Sequence, residues 1–255
     1  MKRQRFESFF KTKKDGETIF YQFWEWKREA PWLWITHGQG EHSDCYQRLI
    51  EGLSSLPINF FAWDLRGHGR SSGKRGYAPH FLSYIDDFIE LYENTKSLFQ
   101  NQKRFWLGHS LGGLIQLLTL IRLNLKTDPQ ILSSPFLGLS MPVPLWKDMG
   151  SVLLSHVAPK ICLWNQIKNE MLTRDPLVLK EYAKDPLRHH KISASVYLGT
   201  LSAHREVFAR LKSIQNPILI QIAENDPIVS SAKNQQFFEL LPSSDKTLKI
   251  YPKRQ

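Results

Sequence analysis

The feature that most constrains this chain is a serine enclosed by glycines between a predicted strand and a predicted helix. Arg104–Leu107 is predicted to be a strand and Leu111–Leu125 a helix, and Gly108-His109-Ser110-Leu111-Gly112 joins them, extended by Gly113. The glycines allow a sharp turn and a close approach of helix to strand. The serine then stands at a helix N-terminus, whose field favours developing negative charge. The pattern predicts a nucleophilic Ser110; the alternative is a tight turn with an idle serine.

Strand-like and helix-like segments alternate along most of the chain. Residues 7–25 are predicted to form a hairpin, because Asp15-Gly16 separates two aromatic and β-branched runs. The other predicted strands and helices are Trp32–Thr36, Tyr46–Leu53, Asn59–Trp63, Phe81–Phe99, Gln130–Ser133, Pro217–Ile222, Ser231–Leu241 and Thr247–Tyr251. Such alternation indicates an α/β fold with a mostly parallel central sheet and helices on both faces. The 255 residues are consistent with a single domain.

Residues 135–190 interrupt this alternation with six prolines and helical segments between them. One predicted helix, Leu145–Val157, has an apolar face made of Leu145, Met149, Val152, Leu153 and Val157. We expect a helical cap insertion between core segments 1–134 and 191–255, covering the carboxyl ends of the strands, where open α/β sheets bind ligands. The apolar face could equally be packed core, and the two interpretations are compatible.

The net charge limits the classes of partner. The chain has 34 Lys and Arg against 24 Asp and Glu, a formal charge of +10. Such an excess can attract nucleic acid or anionic membranes, but no nucleic-acid motif accompanies it, so no nucleic-acid partner is expected. A solvated basic face is the simpler interpretation, and weak attraction to anionic lipid is the other. Six cations lie near the start: Lys2, Arg3, Arg5, Lys11, Lys13 and Lys14.

Cysteine usage and hydropathy indicate a soluble, cytoplasmic protein. The two cysteines, Cys45 and Cys162, have no metal-like or redox-like spacing, so neither a metal nor an organic cofactor is expected. Phe6–Phe10 is too short and interrupted for a signal sequence, and no apolar run approaches the roughly 18 residues of a membrane span. Any membrane contact is expected to be peripheral, through the cap and the basic N-terminus.

Two further segments supply what a nucleophilic serine needs. Enzymes with a serine on such a turn stabilise the oxyanion with the amide after the serine, here that of Leu111, and with an amide from an earlier loop. His37-Gly38-Gln39-Gly40 follows the strand Trp32–Thr36 at that place, and the Gln39 amide is the candidate donor. His37 itself is interpreted as a structural residue that bonds the loop.

The orienting acid should follow a later strand, and the base should come last. Asp226, which follows the predicted strand Pro217–Ile222, is the best candidate for the acid. Glu224 is the rival candidate. The alternative interpretation of Asp226 is an aspartate that only forms a surface turn. No histidine follows Asp226. The nine histidines are His37, His42, His68, His80, His109, His156, His189, His190 and His204.

Over roughly residues 15–252 the chain resembles the monoacylglycerol lipase and lysophospholipase family of α/β-hydrolases. The segments that carry the resemblance are the seven residues from His37 to Ser43 with Tyr46, the eight residues from Asp64 to Ser71, Gly-His-Ser-Leu-Gly-Gly at 108–113, Ser134-Pro135, Asp185-Pro186-Leu187 and Lys191-Ile192-Ser193. The resemblance implies Ser110 as nucleophile, Asp226 as acid, and Gln39 and Leu111 as amide donors. It implies monoacylglycerols, lysophospholipids or similar single-chain lipid esters as substrates.

The chain departs from the family's pattern at its end. In the family a strand-end Tyr-Pro precedes the catalytic His by four residues, which places that His one position beyond Gln255; the helix that normally follows is also missing. We therefore expect a chain truncated before its base and severely impaired, unless His204 or His42 substitutes. Two other classes stay open: a lipid-binding protein without the chemistry, and a related hydrolase such as a peptidase or thioesterase. The oligomeric state does not follow from the sequence.

Overall fold

The computed structural model describes residues 3–99, 102–123, 128–141 and 145–252. The strands are β1 Gln4–Lys11, β2 Thr18–Glu25, β3 Trp32–Thr36, β4 Asn59–Trp63, β5 Arg104–His109, β6 Gln130–Ser133, β7 Cys162–Trp164, β8 Lys191–Ser193, β9 Ile218–Ala223 and β10 Lys246–Tyr251. The helices are α1 Gln47–Gly52, α2 Leu82–Phe99, α3 Leu111–Leu123, α4 Leu145–Val157, α5 Pro176–Lys184, α6 Ala194–Ala209 and α7 Ser231–Leu240. Asn124 and Leu125, predicted to end α3, lie outside the described residues, as do 253–255.

Eight of these strands form one central sheet in the order β1-β2-β4-β3-β5-β6-β9-β10. All neighbours from β4 to β10 are parallel, whereas the N-terminal hairpin β1-β2 is antiparallel to itself and to β4. This arrangement confirms the predicted mostly parallel α/β sheet. Because parallel strands share one direction, the carboxyl ends of β3, β5 and β9 lie at the same edge of the sheet.

The centre of the sheet is buried on both faces, because Trp32–Ile35 on β3 and Phe60–Trp63 on β4 are runs of successive apolar side chains. On one face Trp34 stacks on Phe61, with ring centroids 4.1 Å apart, and lies against Trp106 at 5.2 Å. On the other face Leu33 and Ile35 belong to a separate apolar cluster. Strands with apolar side chains on both faces are typical of a sheet that helices cover on both sides.

The region between β6 and β8 contains more than the helices predicted for it. β7 pairs antiparallel with β8, so a two-stranded sheet closes the helical insertion, a feature that the sequence analysis did not predict. The apolar face of α4 is not packed core: Met149 is 74% and Leu153 67% exposed, and Val152 and Val157 are exposed as well. The side chain of Leu145 lies outside the described residues. Among the described helices, none has the length and apolarity to cross a bilayer.

The junction of β3 with α3 is a very close approach of two backbone segments. A Cβ added to Gly112 would lie 2.1 Å from the Thr36 carbonyl oxygen. Gly112→Ala should therefore lower the free energy of unfolding by about 3 kcal/mol or more, the upper end of the cost of overpacking. Urea denaturation measures this effect. Gly52→Ala, on α1 with nothing within 4 Å, is the matched control and should cause no loss; an equal loss in both variants would contradict the role of the junction.

Candidate active site

Ser110 occupies the turn between β5 and α3 in a conformation that few non-glycine residues adopt. Its φ is +49°, and its amide donates to the Ser133 carbonyl oxygen at 2.9 Å. Its own carbonyl oxygen accepts from the amides of Gly113 at 3.0 Å and Phe136 at 2.9 Å. These bonds hold the strained residue in place. The hydroxyl of this half-buried residue has no hydrogen-bond partner among the described residues.

The glycines around Ser110 are required by close packing. A Cβ on Gly108 would lie 2.7 Å from the Gly113 Cα, and one on Gly113 would lie 2.9 Å from the Pro135 Cβ. No side chain fits at these positions without a shift of the backbone. Together with Gly112, these residues bring α3 against the sheet and lift Ser110 out of it.

The loop after β3 lies directly beside Ser110. A Cβ on Gly38 would lie 3.2 Å from the Ser110 Cβ. Neither the Gln39 amide nor the Leu111 amide has an acceptor among the described residues, so both remain available to a ligand. Two free amides next to a serine hydroxyl are what stabilisation of an oxyanion requires.

A half-buried glutamate, Glu41, supports this loop, and the sequence analysis did not single it out. Glu41 Oε2 accepts from the Gly38 amide at 3.1 Å and from the Tyr46 hydroxyl at 3.2 Å, and Glu41 Oε1 lies 3.8 Å from Arg188 Nη1. Burial opposes ionisation of Glu41, but the neighbouring His109 and Arg188 hold its pKa below the ordinary value. The charge is therefore retained beside the site. The only feature of the sequence that points to Glu41 is its position directly after Gly40 in the motif that starts at His37.

The segment that leaves the cap also holds the loop. The Gln39 side chain donates from Nε2 to the Lys191 carbonyl oxygen at 2.8 Å, and the His189 amide donates to the Gly40 carbonyl oxygen at 3.2 Å. Gly40 has φ +75°, and a Cβ there would lie 2.1 Å from the His189 carbonyl oxygen. The cap exit and the loop are thus in backbone contact.

Asp226 lies just beyond β9, half-buried at the carboxyl edge of the sheet. Its Oδ1 accepts from the amides of Ile228 and Val229, both at 2.9 Å, while its Oδ2 has no partner in the described part of the chain. Glu224, the rival predicted from the sequence, is exposed. Asp226 therefore combines a fixed orientation with one free oxygen, which is the state needed to accept a hydrogen bond from a histidine.

His37, in the loop after β3, and His109, the residue before Ser110, both bond groups other than the Ser110 hydroxyl. The buried His37 ring bonds the Gly38 carbonyl oxygen through Nδ1 at 2.7 Å and accepts from the Leu65 amide through Nε2 at 3.0 Å. His109 Nδ1 faces the carbonyl oxygen and the hydroxyl of Ser133 at 3.1 and 3.2 Å. The His37 ring thus stabilises its loop, which is the role the sequence analysis gave it, and the His109 ring joins the ends of β5 and β6.

The two candidate substitutes for the base are also committed to other contacts. His42 Nε2 lies 2.7 Å from Asp185 Oδ2. The His204 ring, on α6, packs edge-on against Phe136 with centroids 5.2 Å apart. Burial lowers the pKa of His204 to about 4, opposed by the Phe136 carbonyl. No hydrogen bond joins either ring, or any other described histidine, to the Ser110 hydroxyl.

A parallel sheet with a serine on a strand-to-helix turn, free amides beside it and a carboxylate at the same edge defines a serine hydrolase of the α/β-hydrolase fold. Over residues 29–254 the sequence matches the family described as serine aminopeptidase, S33. The chain belongs to this family.

Curated relatives and solved structures support the same assignment. The chain is 30% identical over 243 residues to the monoglyceride lipase of Homo sapiens, covering 93% of this chain and 79% of that protein. An uncharacterized abhydrolase domain-containing protein of Dictyostelium discoideum is 31% identical over 244 residues, but the chain spans only 25% of its length. The crystal structure of Paleococcus ferrophilus monoacylglycerol lipase is similar with a TM-score of 0.80 at 28% identity, covering 100% of this chain and 90% of that one.

Replacing His204 with Gln or Phe should make stability less sensitive to acid. Its pKa of about 4 in the folded chain lies below the ordinary value of 6.5, so between these values the unfolded chain binds a proton that the folded chain does not. The stability contributed by the neutral ring is therefore complete above pH 6.5 and is lost as the pH falls toward 4. Urea denaturation from neutral to acid pH measures the slope. An unchanged slope in both variants would show that another group is responsible.

Proposed function

We propose that this chain is a serine carboxylic-ester hydrolase that acts on single-chain lipids, of the monoacylglycerol lipase or lysophospholipase type. The observation that carries the proposal is the position of Ser110, at φ +49° beside Gly38 and the free amides of Gln39 and Leu111. The names of the relatives add the substrate class, since a human relative is a monoglyceride lipase.

The proposed chemistry proceeds through an acyl-enzyme. A histidine removes the Ser110 proton, and the serine oxygen attacks the ester carbonyl carbon while the amides of Gln39 and Leu111 hold the oxyanion. The alcohol leaves with the proton from that histidine, and water then releases the fatty acid. Asp226, through its free Oδ2, orients the histidine and stabilises its charged form. The base is not assigned to any described histidine, because none bonds the Ser110 hydroxyl.

The 255-residue polypeptide should therefore hydrolyse a short-chain nitrophenyl ester slowly. Removing a member of the triad costs on the order of 10⁴–10⁶ in turnover in other serine hydrolases. Added imidazole can diffuse to Ser110 and act as the base, so we expect it to raise the rate. Ser110→Ala should abolish the imidazole-dependent rate. An ordinary esterase rate without imidazole, also abolished by Ser110→Ala, would show that a histidine within the polypeptide serves as base.

The same assay separates the proposed substrate class from its alternatives. With imidazole present, a monoacylglycerol and a lysophospholipid should be hydrolysed faster than an aminoacyl nitroanilide, the substrate type of an aminopeptidase. The reverse order would favour the peptidase alternative. Stabilisation by a fatty acid or monoacylglycerol without any Ser110-dependent product would favour a lipid-binding protein that lacks the chemistry.

We further propose that the cap contacts membranes peripherally. Exposed apolar side chains cover α4, and the segment 160–168 places exposed Ile161, Leu163 and Trp164 between exposed Lys160 and Lys168. Apolar and aromatic side chains flanked by lysines suit the lipid interface. The basic N-terminus is a weaker candidate for the membrane contact than the cap, because two of its arginines already bond groups of the protein. Arg5 pairs with Asp44 at 2.8 Å, and Arg3 Nη2 donates to the Leu56 carbonyl oxygen at 2.6 Å.

Leu153→Ser combined with Trp164→Ser should weaken binding to vesicles of phosphatidylcholine and phosphatidylglycerol by about a hundredfold or more, since burial of each such side chain contributes roughly 1.5–3 kcal/mol. Cosedimentation of the protein with the vesicles measures it. Leu240→Ser, which removes an exposed leucine from α7, is the matched control and should bind like the parent. Equal binding by all three proteins would exclude the cap as the contact surface.

A further inference from the structure

Three side chains with metal-binding atoms converge at the base of the cap, outside the proposed catalytic groups. His42, Cys45 and Asp185 each offer one ligand atom, and these atoms all lie within 4.8 Å of one another. His42 Nε2 and Asp185 Oδ2 are 2.7 Å apart, and the His42 ring is buried. Cys45 is a free thiol. The ring nitrogen, the sulfur and the carboxylate oxygen therefore lie close enough together to share one ion.

We propose that His42, Cys45 and Asp185 form a binding site for a divalent transition metal of the zinc type. A nitrogen, a sulfur and an oxygen ligand suit Zn²⁺, with water as the fourth ligand of a tetrahedral site. The hard cations Ca²⁺ and Mg²⁺, which require oxygen ligands, do not match this set. On binding, the Cys45 thiol transfers its proton to solvent and the sulfur bonds to the metal.

The charges around the cluster accommodate such an ion. Arg188 contacts it directly, with its Nη1 donating to Cys45 Sγ at 3.3 Å and lying 3.8 Å from Glu41 Oε1. Glu41, Asp185 and Arg188 together carry one net negative charge. A divalent ion that displaces the Cys45 proton brings the group to neutrality, and the N–H···S bond from Arg188 remains as outer support for the thiolate.

The site would connect the cap to the core. His42 immediately precedes the 3₁₀ turn Ser43–Tyr46, which follows the loop beside Ser110. Asp185 immediately follows the cap helix α5, and its Oδ1 accepts from the Leu187 amide at 2.9 Å, which leaves Oδ2 to face His42. A metal here would bridge two segments that are 143 residues apart. Its expected effect is greater stability of the folded chain, whatever its hydrolytic activity.

Cobalt absorption tests the proposal directly, because Co²⁺ replaces Zn²⁺ and a cobalt–thiolate bond produces a near-ultraviolet charge-transfer band. The chain has only two cysteines, so the band can be assigned by substitution. We expect it in the parent protein and in Cys162→Ser, whose substituted cysteine lies on β7, and we expect its loss in Cys45→Ser. Loss of the band on Cys162→Ser alone, or no band in the parent, would overturn the proposal.

Zinc affinity, measured by competition with a chromogenic chelator, provides the second test. His42→Gln and Asp185→Asn should each weaken binding by more than about tenfold, since even outer partners of metal sites account for roughly 10–100-fold. Zinc should also raise the melting temperature of the parent but not that of Cys45→Ser, which keeps the His42–Asp185 pair and so reports on the metal alone. Equal affinity in Cys45→Ser and the parent would contradict the site. Neither readout depends on the proposed hydrolase activity.

Discussion

The contact between the first turn of α3 and the end of β3 determines the geometry of the whole site. Gly112 lies against the Thr36 carbonyl so closely that a methyl group would overlap it. This approach fixes α3 at the carboxyl edge of the sheet, which in turn requires Ser110 to turn the chain with φ +49°. Because Gly38 lies two residues after the end of β3, the same contact brings its loop beside Ser110. One backbone approach therefore places both the proposed nucleophile and the loop that carries a proposed oxyanion donor.

The cap is joined to this loop by hydrogen bonds. Two hydrogen bonds join the loop to the cap exit, from Gln39 to the Lys191 carbonyl and from His189 to the Gly40 carbonyl. A movement of the cap exit that breaks them would release the Gln39 amide from its position. The pair formed by His42 and Asp185 makes another connection between the same two parts of the chain. The position of the cap exit and the position of the proposed donor Gln39 are thus linked through shared contacts.

The sequence predicted well those features that depend on residues close together in the chain. Helix Leu145–Val157 has its predicted bounds because its apolar repeat extends over several turns, but the repeat does not say what covers the apolar face, which is exposed. β7 was missed because three residues, Cys162–Trp164, are too few to show a period. The position of Ser110 follows from adjacent glycines. The supporting role of Glu41 depends on contacts that only folding brings together, so no spacing in the sequence indicates it.

The site keeps polar groups that the fold does not satisfy. The amides of Gln39 and Leu111 and the Asp226 Oδ2 have no partners among the described residues, although neighbouring groups of the same loops are bonded. Unpaired polar groups of this kind reduce stability unless water or a ligand bonds them. The apolar packing of the sheet, exemplified by the buried Trp34, offsets this cost at a distance. A rigid core that holds unsatisfied donors in place needs no reorganisation when negative charge develops on a substrate, and this preorganisation is the physical basis of catalysis by such a site.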